Sequence, residues 1–416
     1  MTDVRQGPGG GRSSSNGWSQ ATVQSSSGPS GGGGGGHRRR GGPAQRAAVS
    51  APTGTRLSVV QLVLVEIAAA AVVCGLAAKH GWPVIGVAIG AVFVLLGLIP
   101  AQRRWLYQVL SSRVRLTARR RGQRRFTGLA SLAGPYRVLD VAPSGSTPVA
   151  VIQAGLTWAL PLELRQDSVF NEDVAVPLDG FTSLLTIEDV NLASVRLLNV
   201  VTPAVVPPSA PTVPTPLLPR GATRYCVLTL DTILAAGALA DRGGSDAAIA
   251  QILRRCAMRA EEVLGSTRLR VQPLDEPAAH RILDNCLGPA ARTADAGAAA
   301  TVETGGGIRV GGTYSSTVAV GGSATTALGK LAEIAPYLPG RVAATTLVLT
   351  PDRHRGGAEA NLLVRVSEPV EGKRGDLGVR LRKVLGDAGL TVQRLDGEQG
   401  ELLRATTPLG LSDGLV

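Results

Sequence analysis

Two apolar runs follow one another near the start of the chain, Leu57–Ala78 and Trp82–Pro100, with only residues 79–81 between them. At a rise of about 1.5 Å per residue, helices of these lengths extend roughly 33 Å and roughly 28 Å, comparable with a hydrocarbon core of about 30 Å. Three residues are too few to cross the bilayer between two such helices. The pattern therefore predicts a tight transmembrane hairpin, 57–78 and 82–100, whose two outer ends lie on one side of the membrane.

One carboxylate interrupts the first apolar run. Glu66 falls near the middle of the run, where inserting a charge costs about 2.5–3.5 kcal/mol. The side chain is then either protonated and facing a partner helix, or paired with a polar group of another subunit. We interpret Glu66 as a membrane packing residue, and the sequence leaves these two alternatives open.

The second apolar run carries small residues on one helical face. Gly86 and Gly90 are one helical turn apart, and Gly97 lies a further two turns on. Small residues at this spacing let two helix backbones approach closely in a membrane. This packing face contacts either the first helix of the same hairpin, through Ala71 and Gly75, or another protein, and the pattern favours neither.

Beyond residue 126 the hydrophobic positions alternate or form short β-branched runs, which is typical of strands. The predicted strands are Tyr136–Val141, Pro148–Gln153, Thr182–Ile187, Val195–Val201, Tyr225–Leu230, Arg268–Gln272, Tyr314–Val320, Val342–Leu349, Asn361–Ser367 and Leu390–Leu395. Two stretches have a helical period instead. The first is capped by Ser245 and has apolar positions from Ile249 to Val263, and the second runs from about residue 375 to Ala388.

The two helical stretches belong to a short internal repeat. Each follows a strand and leads to a second strand that ends Val-Gln-x-Leu-Asp, at 271–275 and at 392–396. Such β-α-β units usually cross over onto one sheet. Seven prolines fall within 203–219, a composition typical of a semi-rigid linker. The sequence predicts an α/β (α+β) cytosolic region, 126–416, of two β-α-β-containing units joined by the proline-rich segment.

The formal net charge of +12 is concentrated around the apolar runs. Residues 1–125 contain 17 Lys and Arg and 2 acidic residues, whereas residues 126–416 contain 26 basic and 29 acidic residues. Because arginines flank both outer ends of the hairpin, the positive-inside rule predicts an inner-membrane protein with both termini and the large C-terminal region in the cytoplasm. Anionic lipid headgroups explain the basic flanks more simply than nucleic acid does.

Two polar segments border the hairpin. Residues 1–56 are rich in Gly and Ser and have few apolar side chains, which predicts a disordered tail. Residues 101–125 are predicted to form a basic amphipathic juxtamembrane segment at the headgroup level. The residues expected to face lipid are Arg103, Arg104, Trp105, Arg119, Arg120 and Arg121.

Catalytic and cofactor motifs do not emerge from the sequence. Ala324–Leu331 ends in Gly-Lys but lacks the first glycine and the final hydroxyl of a phosphate loop. Gly305–Gly307 is typical of a flexible hairpin or loop, His354 of a solvated turn, and Glu188–Asp189 and Glu261–Glu262 of solvated charges. The four cysteines form no C-x-x-C pair. We therefore predict a non-enzymatic chain with no catalytic, cofactor or metal site, no nucleic-acid partner and no small-molecule substrate.

The order of these parts resembles the EccE family, a membrane component of the type VII (ESX) secretion systems of actinobacteria. The resemblance is carried by the hairpin Leu57–Pro100, the strand Arg224–Asp231, and the helix Ile249–Leu264 with the following Arg268–Asp275. It covers residues 57–416 in outline and excludes the tail. The proline-rich segment and the glycine-rich region 305–322 have no counterpart in the family pattern.

The resemblance implies a structural subunit that assembles with the membrane proteins EccB, EccC and EccD. Such a subunit would support export of small helical substrates, powered by the EccC ATPase. Two other classes of function stay open on the sequence alone. A membrane-anchored α/β enzyme such as a glycosyl transferase would need a metal-binding acidic motif, and a membrane-tethered regulator would use the basic tail on nucleic acid.

Overall fold

The computed structural model describes residues 59–77, 82–98, 100–101, 104–105, 114, 117, 136–141, 148–166, 178–203, 220–265, 269–287, 301–352, 357–370 and 376–410. The predictions made for the tail 1–56 and for most of 101–125 lie outside these residues. Within the described part of the chain, the protein is a mixed α/β structure built on one large antiparallel sheet.

Two helices come first, α1 (Val59–Ala77) and α2 (Trp82–Leu98), and they pack on one another as a hairpin. Pro83 lies in the first turn of α2, where its missing N–H is no loss to the helix. A pair of two-residue strands follows, β1 (Pro100–Ala101) and β2 (Arg104–Trp105). No helix among the described residues has the combination of length and apolar character needed to cross a membrane.

The remaining strands are β3 (Tyr136–Val141), β4 (Val149–Ala154), β5 (Thr157–Gln166), β6 (Thr186–Ile187), β7 (Val190–Asn191), β8 (Ser194–Pro203), β9 (Arg220–Asp231), β10 (Leu269–Pro273), β11 (Val302–Glu303), β12 (Ile308–Val310), β13 (Thr313–Gly321), β14 (Val342–Pro351), β15 (Ala358–Pro369) and β16 (Thr391–Arg394). Strands β6 and β7 form a separate hairpin, and the other twelve form one sheet. Its order is β11-β12-β13-β15-β14-β8-β9-β5-β4-β3, with β10 also beside β5 and β16 also beside β13.

Seven α-helices accompany these strands among the described residues from 136 onward. They are α3 (Leu178–Ser183), α4 (Ala236–Ala240), α5 (Asp246–Gly265), α6 (Glu276–Leu287), α7 (Ala324–Ile334), α8 (Leu377–Asp387) and α9 (Gln399–Ala405). The predicted cap of α5 is present, because the Ser245 hydroxyl accepts a hydrogen bond from Ala248 N. Gly389 follows α8 with φ +69°, the left-handed conformation that ends many helices.

The sheet consists of two units that follow the same chain path. Unit 1 runs β5-α3-β8-β9-α5-β10, and unit 2 runs β13-α7-β14-β15-α8-β16. In each unit the fourth strand lies beside the first, then come the third and the second. This is the split β-α-β arrangement of ferredoxin-like folds. Each unit is also preceded by a strand pair, β3-β4 or β11-β12, and followed by a helix, α6 or α9.

The two segments that share the ending Val-Gln-x-Leu-Asp occupy equivalent places, since β9-α5-β10 and β15-α8-β16 are corresponding parts of the two units. A hydrogen bond outside the strand ladders repeats as well. Thr232 N donates to Leu156 O in unit 1, and Val370 N donates to Gly312 O in unit 2. The repeat therefore extends over the whole of both units, well beyond the matching letters.

The units join edge to edge through β8 and β14, which pair antiparallel across the centre of the sheet. An approximate two-fold axis relates the units and passes near the pair Leu198–Thr346. Strand β8 ends at Pro203 and β9 begins at Arg220, so the proline-rich segment connects two strands of unit 1. The predicted joint between units is therefore misplaced: the chain passes from unit 1 to unit 2 between α6 and β11.

Helices cover both faces of the sheet. The larger core lies under α3, α4, α5, α7 and α8, and it includes for example Leu228 of β9 and Ile252 of α5. On the opposite face, α6 packs over Val227, and α9 packs over Leu363. Leu228 and Val227 face opposite ways because side chains alternate along a strand.

The strand predictions went wrong at two places in unit 1. Thr182–Ile187 was predicted as one strand, but residues 182–183 end α3 and only residues 186–187 enter β6. Strand β5 was missed, because Pro161 in its middle argues against a central strand. In the sheet, β4 pairs with β5 up to Ala159 and β10 begins to pair at Leu162, so Pro161 lies in the gap between them.

Candidate functional site

The packing face of α2 lies against α1. A Cβ atom added at Gly86 would be 2.6 Å from Gly75 Cα and 2.7 Å from Ala71 O. At Gly90 it would be 2.6 Å from a methyl group of Val72. Distances below 3.0 Å are not tolerated at real Cβ atoms, so only glycine at 86 lets the two backbones meet. Of the two partners left open by the sequence, the structure places the first helix of the same hairpin against these glycines.

The outer surface of the hairpin is aliphatic. The exposed large apolar side chains are Val63, Val65, Ile67, Val73 and Leu76 of α1, and Val84, Ile85, Val87, Ile89 and Val92 of α2. Glu66 is exposed on the same outer surface. The hairpin thus closes on small residues inside and presents apolar side chains, with one carboxyl group among them, to its surroundings.

The other residues predicted to act at the membrane are only partly described. Gly97 lies in α2, next to its end at Leu98. Arg104 and Trp105 form β2, which pairs with β1 immediately after the hairpin. Arg103, Arg119, Arg120 and Arg121 lie outside the described residues. The structure therefore brings Gly86 and Gly90 together with α1, but does not place the arginines predicted to face lipid.

Two buried arginines form the main polar site of the α/β region. Arg196 of β8 has no exposed surface. One guanidinium nitrogen donates to the backbone oxygens of Arg404 (3.2 Å) and Ala405 (3.4 Å), the last residues of α9, and of Thr407 (2.7 Å), two residues beyond it. The other donates to the hydroxyl of Thr229 at 3.1 Å. A strand of unit 1 thereby holds the C-terminus of a helix of unit 2.

The second arginine makes the reciprocal contact. Arg365 of β15 is also fully buried, and it donates to the backbone oxygen of Cys286 in the last turn of α6. It donates in addition to the hydroxyl of Ser367 at 3.3 Å and to the backbone oxygen of Thr406 at 3.4 Å. Here a strand of unit 2 holds the C-terminus of a helix of unit 1.

The two arginines occupy corresponding rows of the sheet on different strands. Arg196 pairs with Val227 in unit 1, and Ala344 pairs with Arg365 in unit 2. The two-fold relation maps the first pair onto the second, so each unit contributes one guanidinium, from β8 or from β15. Both face the side of the sheet that α6 and α9 cover.

The positive charge of each arginine is stabilised by backbone oxygens at a helix C-terminus and not by an acidic side chain. Among the described residues neither guanidinium pairs with a carboxylate, and each instead meets the negative end of a helix dipole. Burial lowers the pKa of Arg196 to about 9 and lowers that of Arg365 as well. The Nε atom of each finds no acceptor among the described residues. The arrangement supplies cohesion between the units.

The sequence carries one signal for these two residues. Arg196 interrupts the apolar strand 195–201, and Arg365 interrupts the apolar strand 361–367. A cation inside a run of buried positions needs acceptors in the folded protein. The acceptors are backbone oxygens far away along the chain, which no local pattern reveals.

The dismissed motifs have structural roles where they are described. The amine of Lys330, in α7, donates to the backbone oxygen of Gly389 at 3.3 Å. Asp189 accepts two hydrogen bonds from Arg242, both of 2.8 Å, which lower the pKa of Asp189 to about 2. Glu188 pairs with Arg255 at 2.9 Å. His354 lies outside the described residues, and Gly305–Gly307 form the turn between β11 and β12.

Comparison with known proteins gives no assignment: no protein-family model matches the chain, and no curated protein matches it. Among the described residues, no three His, Cys, Asp or Glu side chains are grouped as metal ligands.

Proposed function

We propose that this chain is a membrane-anchored assembly subunit of a type VII (ESX) protein secretion complex, and that it is not an enzyme. Its hairpin, 57–78 and 82–100, is embedded in the inner membrane. Both termini and the region 126–416 face the cytoplasm. Its partners are the other membrane subunits, EccB, EccC and EccD, together with anionic lipid headgroups.

The observation that carries this proposal is the construction of the hairpin. Its small residues Gly86 and Gly90 lie in the contact between α1 and α2, and its large aliphatic side chains are exposed on the outer surface. An aliphatic outer surface of this kind is unfavourable in water and favourable in the hydrocarbon core of a membrane. Because Gly86 and Gly90 are occupied within the hairpin, Glu66 on the outer surface is the residue available for a polar contact with another membrane subunit.

The α/β region supports the scaffold part of the proposal. Two ferredoxin-like units share one continuous sheet of twelve strands, and reciprocal arginine contacts fix the helices of each unit to the other. Such a structure presents a wide, rigid surface to partners. The order of the parts, from hairpin to basic exit to α/β region, also matches the arrangement expected of an EccE-like subunit.

The direct test is purification of the tagged full chain in detergent from its native membrane. We expect it to carry with it an FtsK-type ATPase and the multi-helix membrane subunit of the same system. Recovery of the chain without these proteins would contradict the proposal. The variant Glu66→Leu should keep the hairpin and weaken this recovery, because the interhelical polar contact it removes is worth about 1–2 kcal/mol.

The hairpin itself is tested by Gly86→Leu, with Ala88→Leu as the matched control. Ala88 is exposed on the same helix, so the added bulk points outward and should leave the hairpin intact. At Gly86 the added side chain meets the backbone of Gly75 and Ala71, and the helices must separate. We expect loss of the chain from the complex for Gly86→Leu only, measured against total protein by blotting.

Topology gives an independent test. In a Cys74→Ser background, a cysteine at His80 should react with a membrane-impermeant reagent added to intact cells. Cysteines at Ser13 and Ser412 should not react, because both lie on the cytoplasmic side. Labelling at Ser412 would overturn the proposed orientation.

A further inference from the structure

One end of unit 1 carries an exposed apolar cluster that the fold does not need. Leu156 in the β4–β5 turn is 58 % exposed, and Ile233 and Leu234, directly after β9, are 64 % and 39 % exposed. We call these three residues the apolar tip. The equivalent of Leu156 in unit 2 is Gly312, at the opposite end of the sheet. Unit 2 therefore forms the same chain path without an apolar side chain at the position of Leu156.

The apolar tip is held in a fixed shape by polar contacts beneath it. Thr232 donates to the backbone oxygen of Leu156 from both its N–H and its hydroxyl, each at 3.1 Å. The buried carboxylate of Asp231 accepts from Ile233 N at 2.7 Å and from Leu234 N at 3.3 Å. A preformed surface loses little conformational entropy when it binds. The carboxylate points inward, so the tip presents no negative charge of its own.

The apolar tip lies where the chain arrives from the hairpin. Tyr136, the first residue of β3, pairs with Ala154, which is two residues from Leu156. The segment that follows the hairpin therefore enters the α/β region at this end of the sheet. Arg137, next along β3, is exposed beside the entry point. A cation flanking an apolar cluster is the combination that binds the interface of an anionic bilayer.

We propose that the apolar tip docks on the cytoplasmic leaflet beside the hairpin, with Leu156, Ile233 and Leu234 inserted at the boundary of headgroups and acyl chains. This inference rests on the proposed membrane anchor. It fixes the orientation of the α/β region: unit 1 stands with this end of its strands on the lipid, and the end that carries Gly312 and Val370 points into the cytoplasm.

The test uses the full chain reconstituted in vesicles of phosphatidylethanolamine and phosphatidylglycerol, in a Cys74→Ser background. A nitroxide label is attached to Ile233→Cys, and its collisions with oxygen and with a water-soluble nickel relaxant are measured. The matched control is Val379→Cys, 54 % exposed in the first turn of α8 at the opposite end of the sheet. The three remaining cysteines are buried, and burial raises their thiol pKa values, so they should not take the label.

The anchor is measured in the same preparation with Val87→Cys, which is exposed on α2. We expect the labels at 87 and 233 to lose nickel collisions and gain oxygen collisions relative to the label at 379. If the label at residue 87 is in lipid but the label at 233 is as accessible to nickel as the label at 379, docking of the tip is overturned and the membrane anchor is supported. If the label at 87 is also as accessible to nickel as the label at 379, the proposed membrane anchor is wrong. If the label at residue 233 is shielded from nickel in native membranes but not in vesicles that contain this chain alone, a protein partner covers the tip, and lipid docking is likewise overturned.

A second variant tests whether the apolar side chains cause the docking. With the label at Leu156→Cys, the double change Ile233→Asp and Leu234→Asp should move the label from lipid into water. Val379→Asp, which adds a charge at the opposite end, should leave the label in lipid. A label that stays in lipid in the double variant would show that the tip does not dock through its apolar side chains.

Discussion

The two units have the same path of strands and helices and little sequence in common. Besides the ending Val-Gln-x-Leu-Asp, a short match occurs at the hairpin that opens each unit, where Ile152, Gly155 and Thr157 correspond to Ile308, Gly311 and Thr313. Both glycines have a positive φ, +62° and +57°. The comparison shows that this chain path depends on a turn geometry and on burial pattern, and that most individual side chains are replaceable.

The two units differ in the surface features and connections that surround their shared strands and helices. Unit 1 carries the apolar tip, the β6–β7 hairpin with its ion pairs to Arg242 and Arg255, and the proline-rich connection. Among the described residues, unit 2 has glycine at the position of Leu156 and passes from β13 to β14 through α7 and the short 3-10 helix Ala335–Tyr337, with no added strand pair. Unit 1 is therefore the unit with added surface features, and unit 2 keeps the simpler form of the fold.

The largest effect is expected at the buried arginines. Arg196→Ala and Arg365→Ala each leave helix-terminal backbone oxygens buried without a donor, and they leave a cavity. We expect each to lower the free energy of unfolding by about 3–5 kcal/mol. The measurement is urea unfolding of the full chain in detergent, with exposed Arg254→Ala as the control, expected within about 0.5 kcal/mol of wild type.

Equal losses at the two arginines would support an equal contribution of the two to the contact between the units. A large loss at one position and almost none at the other would contradict it, and would show that only one of the two helix contacts fixes the units together.

An intermediate effect is expected at the shared turn glycines. Gly155→Ala and Gly311→Ala force a side chain into the left-handed region, which costs about 1–2 kcal/mol. The control is Gly237→Ala in α4, where an added Cβ meets open space and the helix gains propensity. Unfolding free energies that change at 155 and not at 311 would show that the turn matters only in unit 1.

A smaller effect is expected at Asp189, which belongs to unit 1 alone. The hydrogen bonds from Arg242 lower its pKa from 3.8 to about 2. The folded state therefore binds this proton less readily than the unfolded state. The stabilising contribution is present above about pH 4 and is lost as the pH falls towards 2.

Asp189→Asn should remove this part of the acid dependence: the variant should match wild type near pH 2 and be slightly less stable above about pH 4, where the contribution of this surface pair is lost. Thermal unfolding midpoints between pH 2 and pH 5, compared with those of Glu261→Gln, check this expectation. An unchanged acid profile in Asp189→Asn would contradict the assigned cause of the shift.

The smallest effect on stability is expected at the apolar tip. Leu156→Ser should leave the free energy of unfolding within about 0.5 kcal/mol of wild type, because the side chain is exposed and unit 2 has glycine there. A loss above about 1 kcal/mol, measured by the same urea titration, would mean that Leu156 is part of the core of unit 1.

The sequence by itself determined the features that depend on neighbouring residues alone, namely helix packing faces, helix caps and most strands. The spacing of Gly86 and Gly90 marked the packing face of α2, and Ser245 marked the start of α5. Alternating apolar residues located nine of the sheet strands, because a half-buried strand needs only its own pattern. The membrane location and the secretion role are predictions from charge and resemblance, and they stay predictions.

Tertiary structure alone decided which strands lie side by side. Strand β5 tolerates Pro161 because neither β4 nor β10 pairs with this residue on one edge of the strand. The gap lies between two strands that are far apart in the sequence, so no local pattern predicts it. The acceptors of Arg196 and Arg365 are likewise backbone oxygens on helices of the other unit. Long-range packing decides which backbone oxygens reach a buried cation, and this is why the sequence can mark the two arginines but not the contact between the units that they make.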